Sequence, residues 1–242
     1  VSEPAADGPN TRGDSLINSG GRMALVPASK RANAKKPEFF YPIGDFFIRS
    51  DPRMKLSKTA KKQLSTIIRI TAPMKNYTWS KGLRNTQGLS VVDLDGRKAL
   101  MATTQGPKGG DLLVNATKGS NFGWPYVSYG SAYEGGRLGT KPDKAGTQRG
   151  FDIPMFAWDP SIGLSDMIQL KGPVFDRWWI NKKNATTPDL LLAGMGGRLL
   201  QRVRIDQGAV RYVETIPIAA RMRSIAQMPS GVLLFGLDAG NK

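Results

Sequence analysis

Neither cysteine nor histidine occurs among the 242 residues. The first absence removes disulfides, thiolate nucleophiles and sulfur-ligated metals, and it leaves the compartment open because many exported proteins also lack cysteine. The second removes every mechanism with an imidazole base and nearly every zinc site, so a proton acceptor would have to be Asp, Glu, Lys, Tyr or water. Acidic residues are scarce, with 19 Asp+Glu against 35 Lys+Arg and a net charge of +16. No apolar run approaches the roughly 18 residues of a membrane-spanning helix. The polar start Val1-Ser2-Glu3-Pro4 is not a signal peptide. A chain opening on Val rather than Met is expected to be a processed product or a fragment.

What is present is a chain with 40% hydrophobic residues, long enough for one large domain or two small ones. Its excess positive charge would attract an acidic partner or an anionic surface. The densest run, Lys30-Arg31 through Lys35-Lys36 to Lys55, Lys58, Lys61 and Lys62, carries few aromatics for base stacking. It is read as a solvated or partner-docked surface rather than a nucleic-acid site.

Residues 1–17, rich in Gly, Pro, Ser and Asp, read as an irregular lead-in. Beyond them a strand–turn–strand unit recurs. It runs Arg22 to Pro27 with Phe39 to Asp45, Gly88 to Gly96 with Ala99 to Thr103, Leu190 to Ala193 with Leu199 to Ile205, and Ser224 to Gly231 with Val232 to Leu237. Short strands, Gly-bearing turns and little helical periodicity give an all-β class, and only Lys55 to Ile68 could hold a helix. Recurrence of the unit favours a β-propeller over a sandwich. A basic insertion is expected at about residues 28–62 of a propeller spanning 18–242.

Three segments go beyond architecture. Gly82-Leu-Arg-Asn-Thr-Gln-Gly-Leu89 sets a guanidinium and two carboxamides on a Gly-bounded loop, donors suited to an anionic, carbonyl-rich ligand. Gln105-Gly-Pro-Lys-Gly-Gly-Asp111 fixes backbone carbonyls in a turn, as a hard cation such as calcium requires. Gly119-Ser-Asn-Phe-Gly-Trp-Pro-Tyr126 is a turn with aromatics. Trp124 and Trp158 are read as core packing rather than as sugar-stacking residues.

In this order the three segments resemble the signature of the soluble glucose and aldose sugar dehydrogenases that use pyrroloquinoline quinone (PQQ). The resemblance also takes in Gly20 to Leu25, Ile67 to Ile70, Trp158 to Ile162 and Ala220 to Ile225. It implies a six-bladed propeller of which this chain supplies roughly the last four to five blades, and a periplasmic or extracellular location. It makes Arg84, Asn85, Gln87, Arg221 and Arg223 cofactor contacts, and Gly106 and Pro107 carbonyl donors to a calcium ion. Two family positions are replaced. Asn18 stands where the catalytic base is a histidine, and a carboxamide cannot accept the sugar's hydroxyl proton. Gly196 stands at a cofactor-binding basic position, with Arg198 two residues away.

The expectation is a degenerate sugar-dehydrogenase-like propeller serving as a non-catalytic scaffold or accessory subunit, with another chain completing the disc. The alternative is a PQQ- and calcium-dependent aldose dehydrogenase, whose base would be a carboxylate such as Asp14 or Asp45.

Overall fold

Runs of β-branched and aliphatic residues with polar or glycine breaks fold into short strands throughout a computed structural model that describes residues 20–26, 36–46, 62–133, 135–136, 150–178 and 189–238. The first sheet joins β1 (Ala24–Val26), β2 (Glu38–Ile43), β3 (Thr66–Thr71) and β4 (Lys75–Lys81) in sequence order. The second joins β5 (Asn85–Leu94), β6 (Arg97–Gln105), β7 (Asp111–Asn115) and β8 (Phe156–Trp158). The third joins β9 (Leu164–Gln169), β10 (Leu190–Gly194), β11 (Leu199–Asp206) and β12 (Ala209–Pro217), and a two-stranded sheet pairs β13 (Met222–Gln227) with β14 (Leu233–Leu237). Every neighbouring pair is antiparallel, so each sheet is an up-and-down meander.

Side chains alternate across a strand with a period of two, and both faces of the second and third sheets are covered. On β10, Leu190 and Leu192 pack with Met101, Leu113 and Val92 of the second sheet, while Leu191 and Ala193 pack with Met222 and Ile225 of the fourth. The second sheet divides the same way: Leu100, Ala102, Leu112 and Val114 face Ala24, Phe40 and Ile67 of the first sheet. Cores therefore lie between consecutive sheets rather than within one sandwich. The first strands of successive sheets pack together, β1 on β5, β5 on β9 and β9 on β13, as the inner strands of propeller blades do. Each fully buried Leu in these cores contributes about 1.5–3 kcal/mol.

Two residues explain how closely the inner strands meet. A Cβ on Gly88 of β5 would lie 2.4 Å from Thr103 Oγ1 and 3.1 Å from the backbone of Asp166 and Met167 on β9, so only glycine fits. Asp166, buried on β9, accepts hydrogen bonds from its neighbour Met167 N (2.8 Å), from Ile225 N of β13 (2.8 Å) and from Arg22 Nη2 ahead of β1 (2.5 Å). One carboxylate thus links three sheets. Burial raises its pKa by more than the Ile225 amide and Arg22 lower it.

All four recurrent units read from the sequence are hairpins in the fold, paired Ala24 with Phe40, Val91 with Leu100, Leu192 with Gln201 and Ile225 with Phe235. Of residues 55–68, the one stretch that could hold a helix, the structure describes 62 onward. Residues 62–65 make a short helical turn, and Thr66 onward is β3, whose Ile67 and Ile68 alternate between the two faces of the sheet. Within the span read as a basic insertion, Glu38–Ile43 is the regular strand β2. Residues 1–17, Asp14 and Asn18 lie outside the described residues.

Apolar side chains remain exposed at both ends of the series. At the first sheet these are Met23, Leu25, Phe39 and Tyr41, with Leu25 and Phe39 directly paired; at the last they are Val232, Leu234, Phe235 and Leu237. Among the described residues no helix is long and apolar enough to cross a membrane.

Candidate functional site

Five of the sequence-predicted residues, Arg84, Asn85, Gln87, Gly106 and Pro107, converge where the loop entering β5 meets the turn leaving β6. Strand pairing causes this, because the antiparallel register sets Asn85 opposite Gln105, one residue before Gly106. Gly82 opens the loop at φ +77°, and a Cβ there would come within 2.4 Å of Gly123 N, so the loop sits directly on the 121–124 turn. Arg84, Gly106 and Pro107 line a small, shallow hollow with Thr104, Gln105, Leu112, Phe122, Trp124, Ser128 and Tyr129.

Arg84 is buried at 5% exposure and satisfied from several directions. Its Nη1 donates to the Gly106 carbonyl at 2.7 Å and its Nη2 to the Tyr133 hydroxyl at 3.4 Å, while Nε lies 3.8 Å from the buried Asp45 carboxylate. The guanidinium also sits 5.6 Å from the Trp124 ring centre and 5.9 Å from that of Tyr133. Asp45 accepts a further hydrogen bond from Trp124 Nε1 at 3.1 Å. Trp124 is therefore a wall of the hollow, not the core residue expected, whereas Trp158 does join the core between the second and third sheets.

The carboxamides form a relay that runs inward. Gln87 Nε2 donates to Asn85 Oδ1 at 2.8 Å, Asn85 Nδ2 to Gln105 Oε1 at 3.0 Å, and Gln105 Nε2 to the Leu164 carbonyl at 2.8 Å. Gly20 N also donates to Asn85 Oδ1. Beneath the turn, Asp111 is fully buried and accepts from Gly106 N (3.0 Å), Ile162 N (3.2 Å), Leu164 N (3.0 Å) and the Ser161 hydroxyl. Burial pushes its pKa up, partly offset by those donors. Gln105, Asp111, Tyr129 and Tyr133 carry no role in the sequence reading. Asp111 had a visible signal, since an acid closing a Gly-Gly turn ahead of an apolar strand must find donors.

Arg221 and Arg223 flank the buried Met222 and share one oxygen of Asp238, each at 3.3 Å. They do not line the hollow around Arg84. Gly196 is exposed in the β10–β11 turn, with its backbone against Gly163 at the start of β9, and Arg198 follows it at φ +51°.

These residues do not fit a tricarboxylate quinone held on a calcium ion. The Gly106 carbonyl already accepts from a cationic guanidinium, the two arginines share Asp238, the carboxamides pair with one another, and among the described residues Arg84 is the one charged side chain lining the hollow. Among the described residues no group of three or more acidic side chains could hold a metal.

A family model described as Glucose / Sorbosone dehydrogenase matches residues 37–242. The uncharacterized protein slr1608 of Synechocystis sp. is 30% identical over 165 residues, covering 67% of this chain and 37% of the relative. Aldose sugar dehydrogenase YliI of Escherichia coli is 34% identical over 101 residues, covering 41% of this chain and 26% of the relative. A solved glucose dehydrogenase superposes with a TM-score of 0.68 at 24% identity, covering 89% of this chain and 60% of that one. The matches thus span about a third of the curated relatives' length. With the meander sheets, their inter-sheet cores and the 82–89 and 105–111 loops in place, the chain belongs to the glucose/sorbosone dehydrogenase family and has its β-propeller fold.

Proposed function

We propose that this chain is a non-catalytic member of its family, a rigid propeller scaffold or accessory subunit. The observation carrying this reading is the internal satisfaction of the site: Arg84 donates to the Gly106 carbonyl, Gln87 to Asn85, and Asn85 to Gln105. Polar groups arranged this way stabilise the loop pair and leave little to bind a quinone. The absence of histidine points the same way, because the chain offers no imidazole to take a sugar hydroxyl proton. Exposed apolar faces on the first and last sheets supply surfaces for polypeptide that continues the ring of blades, and the +16 charge suits an acidic partner. A periplasmic or extracellular setting accords with this reading through the family resemblance.

The test is addition of calcium and PQQ to the purified protein, followed by glucose and other aldoses. The expected result is no bound-cofactor absorbance and no bleaching. Stoichiometric binding with sugar-dependent bleaching would establish the second reading, a PQQ-dependent aldose dehydrogenase. That reading is favoured by the convergence of Arg84, Asn85, Gln87, Gly106 and Pro107 on one loop pair.

A further inference from the structure

The two ends of the blades differ in character. At the end carrying the Arg84 loops, Gly20 N donates to Asn85, Gln105 to the Leu164 carbonyl and Ser165 to the Met222 carbonyl. At the opposite end the Gln169 side chain bonds the backbone N and O of Asp93, the Gln227 side chain bonds those of Lys171, and Gly208 N donates to Asp95. The turns after β5, β11 and β13 and the connection after β9 therefore gather on one face. The turn from β3 into β4 joins them, because β3 runs away from Ser65, whose carbonyl takes Leu83 N beside Arg84.

Cations crowd this far face. Lys36 ahead of β2, Lys75 opening β4, Arg97 and Lys98 opening β6, Lys171 after β9 and Arg211 near the start of β12 are all exposed. The acids among them are partly neutralised. Asp93 pairs with Lys98 at 2.7 Å, Glu38 is bound by Arg69, and Asp95 accepts Gly208 N at 2.7 Å, with Asp206 the further acid. The excess is positive, and it attracts anions.

Apolar tips stand among these cations. Met74, Val174 and Met228 are 85%, 57% and 45% exposed, each on a different turn or connection. Val174 adjoins the β13–β14 turn, since a Cβ on Gly231 would lie 2.7 Å from its Cγ2. One exposed apolar residue is ordinary. Three on one face, ringed by lysine and arginine, match a lipid interface, where apolar tips leave water below the headgroups while long cationic side chains reach the phosphates. A polyanion in solution would engage the cations alone and leave the tips wet.

We propose that this far face docks the protein on an anionic lipid surface, held by its exposed cations and by Met74, Val174 and Met228. The contact is peripheral, made by turns. It holds the Arg84 loops at the end away from the lipid. The docking face is independent of that site and would stand even if a sugar were oxidised there.

The experiment is co-sedimentation of the whole chain with vesicles of phosphatidylcholine alone or with about 30% phosphatidylglycerol, at about 0.1 M and about 0.5 M salt. Anionic vesicles are expected to bind at least about tenfold more tightly than neutral ones at the lower salt, and about tenfold less tightly at the higher. Lys75→Glu with Lys171→Glu should weaken this binding by more than about tenfold, and Lys81→Glu with Lys108→Glu, at the Arg84 end, by less than about threefold. Both pairs lower the net charge equally, so only position separates them. Met74→Ser with Val174→Ser should weaken vesicle binding by about fivefold and leave retention on heparin unchanged, with folding checked by circular dichroism. No preference for anionic vesicles, or equal losses in the two charge-reversed pairs, would overturn the docking face. So would vesicle binding unmoved by the two serines, which would make the face a site for polyanions in solution.

Discussion

Replacing Arg84 with Met separates a self-satisfied site from one waiting for a ligand. The substitution keeps much of the side-chain volume while removing the charge from a position 5% exposed. It leaves the Asp45 carboxylate, 2% exposed, without its guanidinium neighbour and strips the Gly106 carbonyl of the donor at 2.7 Å. Breaking a buried ion pair from one side costs about 3–5 kcal/mol. The 3.8 Å separation of Nε and Asp45 Oδ2 argues for the lower end of that range. The stranded carbonyl adds about 1 kcal/mol, which gives about 4 kcal/mol in all. The double variant Arg84→Met with Asp45→Asn removes both charges and should recover about half of the loss, a coupling typical of contacting groups. Urea unfolding followed by far-ultraviolet circular dichroism reads this as a lower midpoint at unchanged slope. A residue kept only for a ligand would behave oppositely, because its removal is neutral or stabilising. An Arg84→Met chain within about 0.5 kcal/mol of the wild type, or above it, would refute the self-satisfied site and the non-catalytic function with it.

Gly88→Ala should lose about 2 kcal/mol despite the gain from a stiffer unfolded chain, because the new methyl meets Thr103 Oγ1 at 2.4 Å and β9 backbone at 3.1 Å; thermal unfolding checks it. Asp111 has a pKa raised by burial above its ordinary 3.8, so the native state holds the proton more tightly than the unfolded chain. Stability from this group is therefore fully present at low pH and falls as pH climbs from about 3.8 through the folded pKa. Asp111→Asn, less stable throughout, lacks that slope, and its deficit in urea midpoint should narrow as pH rises; a widening deficit would show that the buried donors outweigh desolvation. Asp238→Asn should change stability by less than about 1 kcal/mol, because Arg221, Arg223 and Asp238 are all partly exposed; a urea midpoint measures it.

The hairpins were legible because each joins two apolar segments across a turn, as Leu190–Gly194 and Leu199–Asp206 do. Strand β4, Lys-Asn-Tyr-Thr-Trp-Ser-Lys, was missed because an outer strand faces water and its alternation is polar; only Trp79 and Ser80 turn inward. Within 55–68, the stretch that could hold a helix, the chain is strand from Thr66 onward for the converse reason. Its Leu64, Ile67 and Ile68 fit an apolar helical stripe, but Thr66, Ile67 and Ile68 are consecutive β-branched residues that lose side-chain freedom in a helix and pair instead with Lys81, Ser80 and Thr78.

The site was legible as a list of residues and not as a set of partners. Its loops stand out because glycines and carboxamides cluster there, but sequence does not say which donor meets which acceptor. That pairing depends on Gly106 lying beside Arg84 across a strand register, and on Gln105 reaching Leu164 from a different sheet. Asp166 shows the same limit and where it ends. A lone acid inside Leu-Ser-Asp-Met-Ile-Gln is already anomalous, since a carboxylate within a buried strand must find donors from elsewhere. The sequence therefore demands partners for Asp166, and only the fold names them as Arg22 and Ile225. The same holds at Arg84. The residue types that would receive a cofactor are also types that pair with one another, so the choice between the two proposed functions rests on hydrogen bonds and not on the motif.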